Sequence, residues 1–138
     1  MSTKLPQLKD MIKLGISPFL VFMLNYSAYH LYAGLYEKFS ADTLLHFLGG
    51  LSIAYSAYQA IYLAEKNDWM MIKKPYLKAF IIIATVILAA VVWEMYEFSS
   101  DQFLGTNYQP SNADTMKDLI MGMLGGIIFC LSFIWRKK

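Results

Sequence analysis

Cysteine and arginine each occur once in this 138-residue chain, histidine twice, and charged side chains make up only 16% of it. The single thiol, Cys130, leaves no internal disulfide to form, and its place inside an apolar run marks it as a packing residue. A charged fraction so far below the roughly 25% of soluble domains, beside 57% hydrophobic residues, excludes an ordinary water-soluble fold of this length. The net charge of +2 is too small to suggest a nucleic-acid partner. There is no internal repeat and no low-complexity tract. Neither H-E-x-x-H nor C-x-x-C is present, so the motifs that announce zinc hydrolases and thiol redox centres are missing.

What the chain has is apolar runs of membrane length, since about 20 mostly apolar residues cross roughly 30 Å of hydrocarbon. Four are expected as helical spans, at about Leu14 to Tyr36, Thr43 to Ala64, Leu77 to Ser99 and Thr115 to Trp135. Together they predict a single all-α membrane domain over residues 1–138. The first run is too long for a signal peptide, and no small-x-small cleavage site follows it. Ten of the twelve basic residues fall in the N-terminal segment (Lys4, Lys9, Lys13), the 65–78 connector (Lys66, Lys73, Lys74, Lys78) or the C-terminal tail (Arg136, Lys137, Lys138). Short loops rich in Lys and Arg stay in the cytoplasm. Four spans return the chain to its starting side, so the three basic segments agree. Both termini are expected in the cytoplasm of a plasma or inner membrane, with loops 37–42 and 100–114 outside.

The polar residues inside these runs converge on one depth. Glu94, Glu97 and Asp101 close the third span, spaced to lie within about 60° of arc on one helical face. Asp114 and Asp118 stand one above the other in the first turns of the fourth. His46 opens the second, and His30 lies near the end of the first. At about 1.5 Å per residue, all seven share a layer on the order of 10 Å deep. Glycines point the same way: Gly122, Gly125 and Gly126 follow Asp118 on its face, and Gly49 and Gly50 follow His46. Small residues at such spacing let membrane helices approach closely, which predicts that the second and fourth spans touch and set His46 beside Asp118. Ala90 allows a similar approach by the third.

Each residue also has a plainer reading. Asp101 and Asp114 lie where helices meet water, and an acid in a first turn favours the helix dipole. Cys130 and the tyrosine face of Tyr55, Tyr58 and Tyr62 read as packing, as His30 more simply does. Glu94 resists that treatment, because an ionised carboxylate at mid-membrane costs roughly 2.5–3.5 kcal/mol on insertion scales and calls for a partner. Five carboxylates meet two histidines with only Lys38 and Lys117 near the rim. Like charges so placed cannot all stay ionised, so some are protonated or a cation sits among them. The donor set suits a divalent metal cation (Mg, Mn, Ca, Zn or Fe), with His46, Glu94, Glu97, Asp101, Asp114 and Asp118 as candidate ligands. Glu94 and Glu97 are the candidate catalytic carboxylates, His46, Glu94 and Asp118 holding the ion and Glu97 acting as general base on a bound water.

The string Asp42-x-x-x-His46-Phe47, then Glu94-x-x-Glu97, then Asp114-Thr115-x-x-Asp118 with its glycine run resembles the VanZ-like superfamily of small membrane proteins. It is most similar to the YjdF-like inner-membrane branch, where a Phe-Leu-Gly-Thr string precedes the Asp-Thr-x-x-Asp element, here Phe103 to Thr106. The likeness covers about residues 40–130. VanZ proper tends to carry a Gln after the first Glu and an Arg in the outer loop, whereas Glu97 stands here and no Arg precedes Arg136. The resemblance implies a cell-envelope setting. Expected partners are membrane lipids, one of them a lipid-linked substrate to be hydrolysed or modified. A non-enzymatic binder of an envelope lipid or glycopeptide antibiotic is the first alternative, and a cation or proton transporter the second. The spacing leaves the metal's identity and the oligomeric state open.

The basic-residue pattern has a direct test. A cysteine placed at Asn107 should react with a membrane-impermeant thiol reagent in intact cells, and one at Asn67 should not. The opposite labelling pattern would overturn the orientation.

Overall fold

The computed structural model describes residues 7–31 and 41–135, the last three of these as backbone alone. Four helices account for the regular structure among them: α1 Leu8–Leu31, α2 Ala41–Lys66, α3 Pro75–Leu104 and α4 Asn112–Trp135. The expected end of the first span lies outside the described residues, as do Lys4, Lys38 and Arg136-Lys137-Lys138. Within the described part, α1 and α3 overrun the apolar runs by several residues, α1 into Lys9 and Lys13 and α3 past Ser99 to Leu104. Hydrocarbon thickness limits the apolar length only; the backbone keeps its hydrogen bonds into the polar zone beyond.

Local chemistry sets the ends. Pro75 opens α3 in the first turn, where its missing N–H costs nothing, and Gly105 closes it in the left-handed region at φ +68°. The Ser111 hydroxyl accepts the Asp114 N–H at 3.2 Å, in a Ser-x-x-Asp arrangement that starts α4. At the other end of the bundle the Asn67 amide donates to the Leu63 carbonyl at 2.8 Å as α2 finishes. Glu65 then gathers the connector, accepting the Ile72 N–H at 3.0 Å and the Lys78 ammonium at 2.6 Å.

Three of the helices are long and apolar enough to cross a membrane: Leu8–Leu31, Pro75–Leu104 and Asn112–Ser132. α2 has the length, about 39 Å at 1.5 Å per residue, but its serines, tyrosines and Gln59 keep it out of that set. Its position explains why it tolerates them. α2 packs against each of the other three helices, whereas among the described residues the backbone of α1 approaches that of α2 alone. The least apolar helix is the most enclosed one.

The outside of the bundle is apolar, and its interior holds polar as well as apolar side chains. On α3 the buried residues are Ile82, Val86, Glu94, Glu97 and Ser100, while Phe80, Leu88, Val92, Met95 and Phe98 are exposed. This is the inverse of a soluble protein's helix and matches one whose outer face meets lipid. Toward the connector end, a core of Ala54, Ile61, Ile72, Ile82, Val86 and Cys130 fills the interior. The end that carries residues 101–114 holds the polar cluster instead.

α2 and α4 meet at backbone distance, as the glycines predict, but the individual glycines divide the work differently. A Cβ on Gly50 would fall onto the Gly122 carbonyl, and one on Gly125 would strike the Phe47 carbonyl and lie 2.9 Å from the Leu51 nitrogen. Gly126 faces α3 instead, where a Cβ would sit 3.1 Å from Val86. Gly122 looks toward Ala90 at 3.6 Å, the α3 approach that Ala90 implies. Gly49 is the correction: a Cβ there would meet nothing within 4 Å, so it takes no part in the α2–α4 contact. Neighbouring helix positions point about 100° apart, so Gly49 and Gly50 cannot serve the same seam.

Gly50→Ala should therefore destabilise the protein by about 1–3 kcal/mol through forced backbone separation. Gly49→Ala should leave thermal stability in detergent unchanged. Equal melting behaviour of the two variants would show that the α2–α4 contact is not made through Gly50.

Candidate functional site

Helix periodicity assembles the cluster from three chain segments. On α2, Asp42 and His46 are one turn apart and share a face. On α3 the same spacing logic buries Glu94 and Glu97, which are 7% and 4% exposed. On α4, Asp114 and Asp118 stand a turn apart, and Asp118 is 1% exposed. The close approach of α2 and α4 carries His46 against the acids of the other two helices. His46 Nε2 lies 3.4 Å from Asp42 Oδ1 and 4.0 Å from Glu97 Oε1, and Nδ1 lies 3.8 Å from Glu94 Oε1.

A second ring of groups orients these side chains. The Trp93 indole donates to Glu97 Oε1 at 2.7 Å. The Gln109 amide donates to Glu94 Oε2 at 2.6 Å and to the Glu94 main-chain carbonyl at 2.9 Å. Lys117 pairs with Asp114 and stands 3.9 Å from Asp118 Oδ1. Asp101 lies outside the cluster proper. Its carboxylate accepts from the Thr106 hydroxyl at 2.6 Å and from the Tyr108 and Gln109 N–H groups at 2.8 Å each. Asp101 thereby folds the α3–α4 loop and delivers Gln109 to Glu94. Above the cluster, Tyr108 packs on Tyr29 with ring centroids 4.5 Å apart and stacks on Tyr96 at 6.5 Å. Burial pushes the Tyr108 phenol above its usual pKa, so it stays protonated. A cavity of about 20 Å³, room for a single water, lies against Glu97 and is walled by Trp93 and these tyrosines.

Among the described residues, Glu94 Oε1 and Asp118 Oδ1 are buried without a hydrogen-bond partner, and His46 Nε2 has only its long 3.4 Å approach to Asp42. Buried polar atoms are nearly always paired, and an unpaired one costs about 1–3 kcal/mol. Three overlapping sets could each hold a metal ion with ligand atoms within 4.8 Å of one another: His46, Glu94 and Asp118; Asp42, His46 and Glu97; and Asp42, Asp114 and Asp118.

Of the six residues singled out as ligands from the sequence, five (His46, Glu94, Glu97, Asp114 and Asp118) fall in these sets and Asp101 does not. His30 stacks on Tyr26 and Tyr29, at 4.3 and 5.2 Å between centroids, away from the acids. Asp42 was missed as a candidate, although it stands four residues before His46 and so must share its face. Gln109 and Trp93 could not be found by residue type, because each acts by orienting a carboxylate. Gln109 reaches Glu94 through a loop whose course depends on Asp101.

No solved structure matches this chain. An uncharacterized protein of Thermotoga maritima is 35% identical over 109 residues, which cover 78% of this chain and 54% of that protein. The chain thus spans about half the length of that curated relative. A family described as a predicted membrane protein family, DUF2238, matches residues 4–138. With nearly the whole length matched, and with helices that are apolar where they face outward, the chain belongs to the DUF2238 family of predicted membrane proteins.

Proposed function

We propose that this protein is a cation-dependent membrane hydrolase whose ion is held by His46, Glu94 and Asp118. All four helices cross the bilayer in this reading, with α2 sheltered by its neighbours and the cluster opening toward the outer leaflet. The single observation that carries the proposal is the convergence of buried His46, Glu94 and Asp118 from three helices, with one possible ligand atom of each within 4.8 Å of the others. A divalent ion held by these three residues would offset the crowding of Asp42, Glu94, Glu97 and Asp118. Glu97, held by Trp93 beside the water-sized cavity, is placed to act as general base on a water polarised by that ion. The substrate is an envelope lipid. The likeness of the Asp42/His46, Glu94/Glu97 and Asp114/Asp118 string to VanZ-like proteins, nearest the YjdF-like branch, supports an envelope setting.

The donor set argues for the ion as the source of positive charge. Phosphate-bearing substrates call for cationic clamps, and among the described residues Lys117 is the basic side chain at the rim, already paired with Asp114. A transporter fits less well. The interior beyond the cluster is the apolar core of Ala54, Ile61, Ile72, Ile82, Val86 and Cys130, which gives an ion no relay.

Elemental analysis of the purified protein should find one divalent metal per chain or close to it. At several hundred to a thousand times its dissociation constant, such an ion adds on the order of 3–4 kcal/mol of stability. Chelation should therefore lower the melting temperature of the wild type. Glu94→Gln keeps the shape of the side chain and removes its charge, so it should lose metal and become indifferent to chelator. A metal-free wild type whose melting does not respond to chelator would sink the proposal. Stabilisation by Glu94→Gln would then identify simple repulsion among the carboxylates.

A further inference from the structure

A cavity of about 340 Å³ lies between α1, α2 and α3, immediately beside the cluster. Its walls are Pro18, Phe19, Val21 and Phe22 of α1, Leu45, Gly49 and Ile53 of α2, and Val86, Ala89 and Ala90 of α3. His46, Trp93 and Asn25 line one end of it, and Ser52 lines it toward the other. Along α2 it reaches from Leu45 to Ile53 and along α3 from Val86 to Trp93. That is about 10–12 Å at 1.5 Å per residue, so the cavity runs parallel to the helices with a mean cross-section on the order of 30 Å². At about 30 Å³ per methylene, close to the volume of one water in the liquid, it holds roughly a dozen carbons.

We propose that this cavity receives one hydrocarbon chain of a membrane lipid whose polar group sits at the His46–Glu94–Asp118 cluster, the lipid entering sideways between α1 and α3. The inference rests on the proposed cation site for its polar end and names the substrate class of that site. Four observations choose this occupant. The cavity has the girth of a single chain, and its long axis runs along the helices, the direction a lipid tail takes beside a spanning helix. Its polar end is continuous with the cluster through His46, which belongs to both. It has an open flank: α1 packs on α2 and, among the described residues, does not approach the backbone of α3. The gap is spanned by the edge-on contact of Phe22 with Trp93, centroids 5.6 Å apart, and both Phe19 and Phe22 are exposed on the outer side.

Trp93 ties the two compartments together. One face of its ring walls the cavity, and its indole N–H holds Glu97. A chain that displaces Phe22 therefore presses on the residue that orients the general base. Gly49 supplies the means of testing this without disturbing the α2–α4 seam, because a Cβ there meets nothing within 4 Å and the position lines the cavity.

The experiment uses full-length protein in nanodiscs of phosphatidylglycerol doped with the same lipid carrying a diazirine at mid-chain. After illumination, labelled peptides are mapped by mass spectrometry and metal content is measured on the same samples. Labelling is expected at Gly49, Ile53, Ala89 and Ala90. Gly49→Phe should cut cavity labelling at least tenfold, leaving metal content at the wild-type level, and Ala89→Phe should do the same from the opposite wall. Melting temperature confirms that each variant is folded. Labelling confined to the outward residues Phe80, Leu88 and Phe98, or cavity labelling unchanged in both folded variants, would overturn the proposal. Cavity labelling in a wild type that holds no metal would count against the cation alone and leave the chain site standing.

Discussion

The structure depends on how closely α2 approaches α4 at Gly50 and Gly122. Only glycine at position 50 lets the α2 backbone rest on the Gly122 carbonyl, and van der Waals contact at this distance is what holds membrane helices together where lipid offers no hydrophobic drive. His46 lies one turn from Gly50 and Asp118 one turn from Gly122, so the contact fixes the separation of those two side chains. α3 then completes the set, because Val86 and Ala90 pack on Gly126 and Gly122 and leave Glu94 and Glu97 one and two turns beyond Ala90. A single bulky side chain in this seam would move every donor in the cluster at once.

The seam is also what makes the buried acids affordable. Four helices of moderate polarity could not keep Glu94, Glu97 and Asp118 out of lipid unless the bundle were tight around them. α2 carries the most polar content and takes the central place, against all three neighbours. α1 and α3 take the lipid-facing work, with Phe19, Leu20, Phe80 and Leu88 turned outward. Gln109, Trp93 and Lys117 meet part of the acids' demand for partners, and the unpaired atoms of Glu94 and Asp118 mark what protein groups leave unmet.

Much of this was legible in the sequence, because the bilayer reduces a fold to a few readable rules. Apolar runs of 20 residues announced helices, and residues 94, 97 and 118 lay at one depth by arithmetic. The glycine spacing announced a close pair. What stayed hidden depends on rotation and on loops. The direction in which Gly49 points, away from the seam and into a cavity, follows from the helix's rotation about its own axis, which two adjacent glycines do not determine. Asp101 shares a face with Glu94 and Glu97, yet the loop after Gly105 folds back onto its carboxylate and uses it up. Loop courses of that kind carry no periodicity to read. Asp42 is the opposite case. Its spacing from His46 already placed it in the cluster, and its position in the first turn of α2, where helix dipoles favour acids anyway, concealed it.

The arrangement of polar and apolar space within the bundle bears on what chemistry the site can do. A hydrolase acting on lipid must hold water and hydrocarbon within a few ångströms of each other without mixing them. Here a water-sized cavity and a chain-sized cavity share the wall made by Phe22, Asn25 and Trp93. The Trp93 indole N–H faces Glu97 and its ring edge meets Phe22. In the proposed reaction the same side chain would exclude water from the tail and aim the base at the water. That dual duty explains why an aromatic donor stands at this point. A phenylalanine would lose the hydrogen bond to Glu97, and a polar residue of smaller size would join the two cavities into one.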